Sequence, residues 1–225
     1  MAIAEQISLI NKQLNDSAAR LIVVTKTRSI EELQETYAAG AIEFGENRVQ
    51  EMVEKQAVLP EDILWHQIGH LQTNKVKYIA PFVHLIHSVD SLNLLKEINK
   101  QGAKNNRVIH CLLQIFIATE ESKFGLDFKE AEALLADASF AEMKHIRIVG
   151  LMGMASFTAD EDQIRREFKS LADFFQQLKN NKTGVSTGLV EWTELSMGMS
   201  GDYLIAAELG ATLVRVGSAI FGPRH

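Results

Sequence analysis

The hydrophobic positions of this chain change period again and again along its length. Short apolar runs alternate with longer stretches in which apolar residues recur every three or four positions. The first pattern belongs to strands buried on both faces, the second to amphipathic helices. This reading predicts strands at residues 21–25, 42–44, 64–68, 84–88, 108–117, 146–152, 193–196 and 213–216. Helices are predicted at 29–37, 48–58, 73–79, 91–101, 129–136, 161–179 and 202–209, with a closing turn at 219–221. A leading helix over 2–16 would align Ile3, Ile7, Ile10 and Leu14 on one face. Local signals agree with these limits. Ser29-Ile-Glu-Glu resembles a capping box, Gly40 is placed to stop the helix it opens, and Asp90 or Ser91 caps the helix after the fourth strand.

Eight strand–helix units imply parallel strands joined by crossover helices. In about 220 residues they fit a closed (β/α)8 barrel of the TIM type, a single domain over 1–225 with the leading helix as an extra plug. An open doubly wound sheet is the alternative. It would use fewer strands and place glycines after the first one, where this chain has Thr25-Lys-Thr-Arg-Ser. The three prolines, at 60, 81 and 223, mark no linker. At 46% hydrophobic and 23% charged, the composition can supply a full globular core. The net charge of −6 is interspersed, with no basic stripe, which argues against nucleic acid or an anionic membrane as partner. The lone Cys111 cannot form an internal disulfide and reads as a small core residue. No signal peptide and no membrane span are read, so a cytosolic location is expected.

In a barrel, chemistry collects where strands end on the C-terminal face. Lys26 follows the first strand. Lysines at strand ends usually snorkel to water. One held partly out of water, however, can condense with an aldehyde to a Schiff base. At the other end of the chain, Ser196-Met-Gly-Met-Ser200-Gly-Asp202 and Val214-Arg-Val-Gly217-Ser218 place serines and glycines after the seventh and eighth strands. Loops in those positions often cradle phosphate, and a helix start adds its positive end. Two ordinary tight turns would read the same way. An amine and a phosphate cradle together suggest pyridoxal 5′-phosphate, which has both an aldehyde and a phosphate. Arg215, in an apolar strand, must face the barrel mouth or pair with an acid. Opposite a pyridine nitrogen it would donate a hydrogen bond, keep that nitrogen unprotonated and restrain carbanion chemistry. His66, His70, His84, His87 and His110 show no zinc-like spacing, so no metal is expected. His66 and His87 are placed at the barrel mouth.

The chain also resembles the pyridoxal phosphate homeostasis proteins, a group with the barrel of the alanine racemase N-terminal domain. The resemblance rests on Val24-Thr-Lys26-Thr, Phe44-Gly-Glu-Asn47-Arg-Val-Gln-Glu51, Trp65-His66-Gln-Ile-Gly69-His-Leu-Gln72-Thr-Asn74-Lys75 and His87-Ser-Val-Asp90. It continues through Ser122-Lys123-Phe-Gly125, Gly150-Leu-Met-Gly-Met, Leu195-Ser-Met-Gly-Met-Ser200 and Val214-Arg-Val-Gly-Ser-Ala-Ile-Phe-Gly222. It implies that Lys26 carries the cofactor, that Ser200, Gly217 and Ser218 hold its phosphate, that Arg215 meets the ring nitrogen and that Asn47 lines the site. Arg28 stands where many bacterial members have a second lysine, and His70 where many have proline. The chain runs to His225, without the β-rich domain from which alanine racemase takes a catalytic tyrosine. A monomeric carrier and buffer of vitamin B6 is therefore expected, with pyridoxal-phosphate-dependent apoenzymes as recipients and no amino-acid turnover. A small racemase or decarboxylase is the enzyme alternative, and a phosphosugar-binding barrel a more distant one.

Overall fold

The computed structural model describes residues 2–119, 124–184 and 188–222. Its eight strands are β1 (Arg20–Val24), β2 (Glu43–Glu46), β3 (Leu64–Gln67), β4 (Leu85–Val89), β5 (Ile109–Ile115), β6 (Ile146–Gly153), β7 (Val190–Ser196) and β8 (Leu213–Val216). Each pairs in parallel with the next, and β8 pairs with β1, so the sheet closes into a barrel. The helices are α1 (Ile3–Leu14), α2 (Ile30–Ala38), α3 (Val49–Gln56), α4 (Val76–Ile79), α5 (Leu92–Lys104), α6 (Phe128–Ala136), α7 (Ala138–Ala141), α8 (Glu161–Asn180), α9 (Tyr203–Glu208) and α10 (Ser218–Phe221). A 3-10 turn at Thr73–Lys75 leads into α4.

Alternation along each strand divides the apolar residues between two cores. Ile22, Leu85, Leu112, Val149, Met152 and Leu213 fill the barrel interior. A larger cluster, with Phe44, Trp65, Phe168 and Leu171 among it, lies between the sheet and the helical layer. The N-terminal end of the barrel is polar, with Arg20 donating to Glu43 (3.1 Å) and Glu194 (3.2 Å). Gly150 lies where the β6–β7 register shifts, and a Cβ there would stand 1.7 Å from the Glu194 carbonyl oxygen.

Three details depart from the sequence-based expectation. First, α1 does not plug the barrel. It packs against α2, α9 and α10 and against β1, which is the place an eighth outer helix would take between α9 and α2. The single turn of α10 is too short to fill that place. Second, β2 starts and ends later than expected, because two glutamates flank its apolar centre. Third, β7 begins at Val190, three residues before the expected start, and α7 was not expected at all.

Candidate functional site

A cavity of about 400 Å³ opens at the C-terminal ends of the strands. That volume falls in the range of small-molecule sites, roughly 300–1,000 Å³. Lys26 and Asn47 line it from the β1 and β2 loops, and Ser200, Arg215, Gly217 and Ser218 line it from β7, β8 and the loops that follow. All six residues named from the sequence thus meet in one place. The β6–α8 loop adds Met154, Ser156, Phe157 and Thr158, and α8 adds Ile164. Of these, the Gly150-Leu-Met-Gly-Met motif of the sequence reaches Met154. Phe157, with nothing chemical to mark it, went unnoticed.

Lys26 is half-buried and lies two residues past the end of β1. Its turn is closed by the Arg28 N–H donating to the Thr25 carbonyl (3.1 Å), with Thr27 at φ +64°. Arg28 itself turns away from the cavity. It donates to the Gly222 carbonyl (2.9 Å) and stacks its guanidinium 5.0 Å above the Phe221 ring, so it ties the β1 loop to the α10 turn.

Ser200 lies three residues before α9. Its hydroxyl oxygen accepts the backbone N–H groups of Gly217 (3.2 Å) and Ala219 (3.3 Å). One polar oxygen therefore already sits where two amides after β8 converge. Behind it, Gly198 adopts φ +94°, and a Cβ there would come within 2.6 Å of Ala206. A side chain at this position would push the Ser200 loop off α9.

Arg215 is 4% exposed. Its guanidinium donates to Ser196 Oγ (2.6 Å) and to the Gly153 carbonyl (3.1 Å), which leaves its other N–H donors for an acceptor in the cavity. Burial pushes its pKa down to about 10, opposed by the charge of Asp202, so it stays cationic at neutral pH. Ser196 Oγ lies 2.9 Å from His87 Nδ1, and His87 Nε2 lies 3.0 Å from His66 Nδ1. His66 Nε2 then faces Glu43 at 3.6 Å. Arginine can only donate, so Ser196 Oγ accepts from Arg215; with its own hydrogen given to His87 Nδ1, the neutral rings run from His87 to His66. His66 Nε2 and the Glu43 carboxylate stay beyond hydrogen-bond reach. Burial holds both imidazoles well below the usual histidine range, helped for His66 by His84 and for His87 by His66 and Arg215. Both are neutral, as this chain requires. Neither lines the cavity. The expectation that they would reach the barrel mouth is corrected: they lie in the interior beneath Arg215 and hold it from below.

His70 also lies outside the cavity. His70 stacks on Phe124 and faces Asp90 at 3.3 Å. Ser122 and Lys123 lie outside the described residues. Among the described residues, no group of three or more His, Cys, Asp or Glu side chains is arranged to hold a metal ion, and no helix is long and apolar enough to cross a membrane.

A sequence model of the alanine racemase N-terminal domain matches residues 1–225. The pyridoxal phosphate homeostasis protein of Aquifex aeolicus is 37% identical over 210 residues, which cover 93% of this chain and 89% of the relative. The chain belongs to the pyridoxal phosphate homeostasis protein family. The Schizosaccharomyces pombe member is 34% identical over 225 residues, covering 97% of this chain and 91% of its own. PipY of Synechococcus elongatus, solved with pyridoxal phosphate bound, superposes with a TM-score of 0.85 at 33% identity, over 98% of this chain and all of PipY. Alanine racemase from Bartonella henselae shares the fold at 17% identity and a TM-score of 0.73, and this chain covers 58% of it. Within the family's shared barrel, the cavity described above lies at the C-terminal end, where such barrels place their chemistry.

Proposed function

We propose that this chain binds pyridoxal 5′-phosphate in the barrel cavity, covalently through Lys26, and serves vitamin B6 homeostasis by holding the cofactor and releasing it to apoenzymes. The observation that carries this reading is the convergence of an amine, a buried arginine and a serine-bound pair of amides on one cavity of suitable size. The cofactor supplies an aldehyde that an amine can attack and an electron-accepting ring. The chain supplies the rest. Lys26 offers the nucleophile. The Ser200 hydroxyl, which accepts the Gly217 and Ala219 N–H groups, would turn its own hydrogen to the phosphate, with Ser218 beside it. Arg215, braced by Ser196 and Gly153, would offer the ring nitrogen a donor that is cationic at neutral pH, and Asn47 lines the cavity wall. PipY binds the same cofactor, by its description.

Carrier function is favoured over turnover because racemisation needs two acid–base groups on opposite faces of the substrate. Among the described residues lining the cavity, none is a tyrosine or histidine, and its one carboxylate, Asp202, accepts the Met199 N–H. Tyr203 donates from α9 to Gln13 and Tyr37 from α2 to Asp62, both away from the cavity. The test is an absorbance scan of the purified protein with pyridoxal phosphate, before and after borohydride, with mass mapping of the modified residue. A reduced adduct on Lys26 that vanishes in Lys26→Ala is expected; an adduct on Lys75 would overturn the assignment. Incubation with either enantiomer of alanine in deuterated water should give no inversion.

A further inference from the structure

Behind the Lys26 turn lies a buried ion cluster that ligand binding does not use directly. Lys55 projects from α3 and is 4% exposed. Its ammonium donates to Glu46 (2.7 Å), to Glu51 (2.6 Å) and to the Thr25 carbonyl (2.7 Å). All three of its protons are therefore committed. The Thr25 hydroxyl donates to the same Glu46 oxygen (2.6 Å), and the Thr27 N–H donates to Glu51. The cluster thus grips the chain on both sides of Lys26, at residue 25 by carbonyl and hydroxyl and at residue 27 by its amide.

Two observations show what this grip has to hold. Thr27 has φ +64°, a conformation that a β-branched side chain adopts only under constraint. In addition, Glu46 is fully buried, and its second carboxylate oxygen has no hydrogen-bond partner. A buried ion cluster with an unsatisfied oxygen is a poor source of stability beside packed apolar side chains. Its location at the one strained turn of the site gives it a geometric task.

We propose that Lys55, Glu46 and Glu51 form the positioning device of Lys26: they hold Thr27 in the left-handed region and so keep the Lys26 amine aimed into the cavity. This inference rests on the reading of Lys26 as the amine that carries pyridoxal phosphate. It adds three positioning residues, none of which touches the cofactor.

The experiment compares wild type, Lys55→Met and the double variant Lys55→Met/Thr27→Asn. One readout is the rate at which pyridoxal phosphate forms a borohydride-reducible adduct on Lys26. The other is equilibrium binding of pyridoxine 5′-phosphate, which has the ring and phosphate but no aldehyde. Lys55→Met should slow the adduct about tenfold, equivalent to roughly 1.4 kcal/mol, while pyridoxine phosphate binding stays within about twofold. Asparagine tolerates the left-handed region far better than threonine, so Thr27→Asn should restore most of the lost rate. Restoration of this kind is not expected if the cluster serves only overall stability. An unchanged rate in Lys55→Met, or no recovery in the double variant, overturns the inference. If Lys55→Met does not fold, Glu51→Gln decides the matter: it keeps the Lys55–Glu46 pair, weakens the hold on Thr27, and should show a smaller slowing with the same rescue. A wild-type protein that binds pyridoxine phosphate yet forms no adduct on Lys26 would instead overturn the functional reading on which the inference rests.

Discussion

The Ser200 oxygen has two tasks. Its lone pairs take the N–H groups of Gly217 and Ala219, and its hydroxyl hydrogen remains available to an anion in the cavity. Hydrogen bonds to a charged group contribute about 1.5–3 kcal/mol each. Pyridoxal phosphate should therefore bind at least about tenfold more tightly than pyridoxal, and Ser200→Ala should erode that preference by roughly the same factor. Titrating both ligands into both proteins measures this, and an unchanged ratio in the variant would remove Ser200 from the cradle. At this scale the sequence was informative wherever chemistry is carried by a rare residue at a strand end. Lys26 and Arg215 stand out against apolar runs. The Ser196–His87–His66 chain beneath Arg215 does not, because His66 and His87 lie 21 positions apart and meet only when β3 and β4 pair. The Lys55–Glu51 pair was hidden for a different reason. Spaced four residues apart, it reads as an ordinary exposed helix pair, and only the fold buries it.

The elements followed the hydrophobic pattern closely, with every expected strand present. Strands covered on both faces must be apolar throughout, so they announce themselves. The errors fall where polar side chains face inward or into the sheet–helix layer. In β2, Glu43 points to Arg20 at the polar end of the barrel and Glu46 to Lys55, so half the strand looks like a loop. Gly150 lies inside β6, where the absence of a side chain is a condition of pairing with β7. A Cβ there would overlap the Glu194 carbonyl, and β6 cannot retreat from a closed barrel. Gly150→Ala should destabilise the protein by more than about 3 kcal/mol, the range of backbone and overpacking disruptions in tight cores. Denaturant unfolding of the variant checks this. A loss under about 1 kcal/mol would mean that the bulge relaxes freely.

For the whole molecule, acid should be the main destabilising condition. His66, His84, His87 and His110 are all held below the usual histidine range, chiefly by burial. In the unfolded chain these rings take up protons near pH 6.5. In the folded protein they do so only at lower pH. Between those values the unfolded state binds more protons, so falling pH favours unfolding. Stability should be level above about pH 6.5 and decline progressively below it. His87→Gln, which can still accept from Ser196 and donate to His66, should make the decline shallower. Melting temperatures across the range test the sign, and a rise on acidification would contradict it.

The position of α1 has a consequence for how the site comes into being. The first helix lies beside α9 and α10, with Gln13 bonded to Tyr203 across 190 residues of chain. The ring is therefore sealed at the β8–β1 seam by the two segments furthest apart in sequence, a closure that must come late because its loop is the longest. Lys26, Asn47, Ser200, Arg215 and Gly217 belong to strands β1, β2, β7 and β8 or to the loops that follow them, and Ser218 opens α10, on the two sides of that seam. A ligand bound among them would act as a clasp. It favours the sealed ring over the sprung one by mass action, and its arrival should slow amide exchange first in β8 and β1, the two strands that meet at the seam.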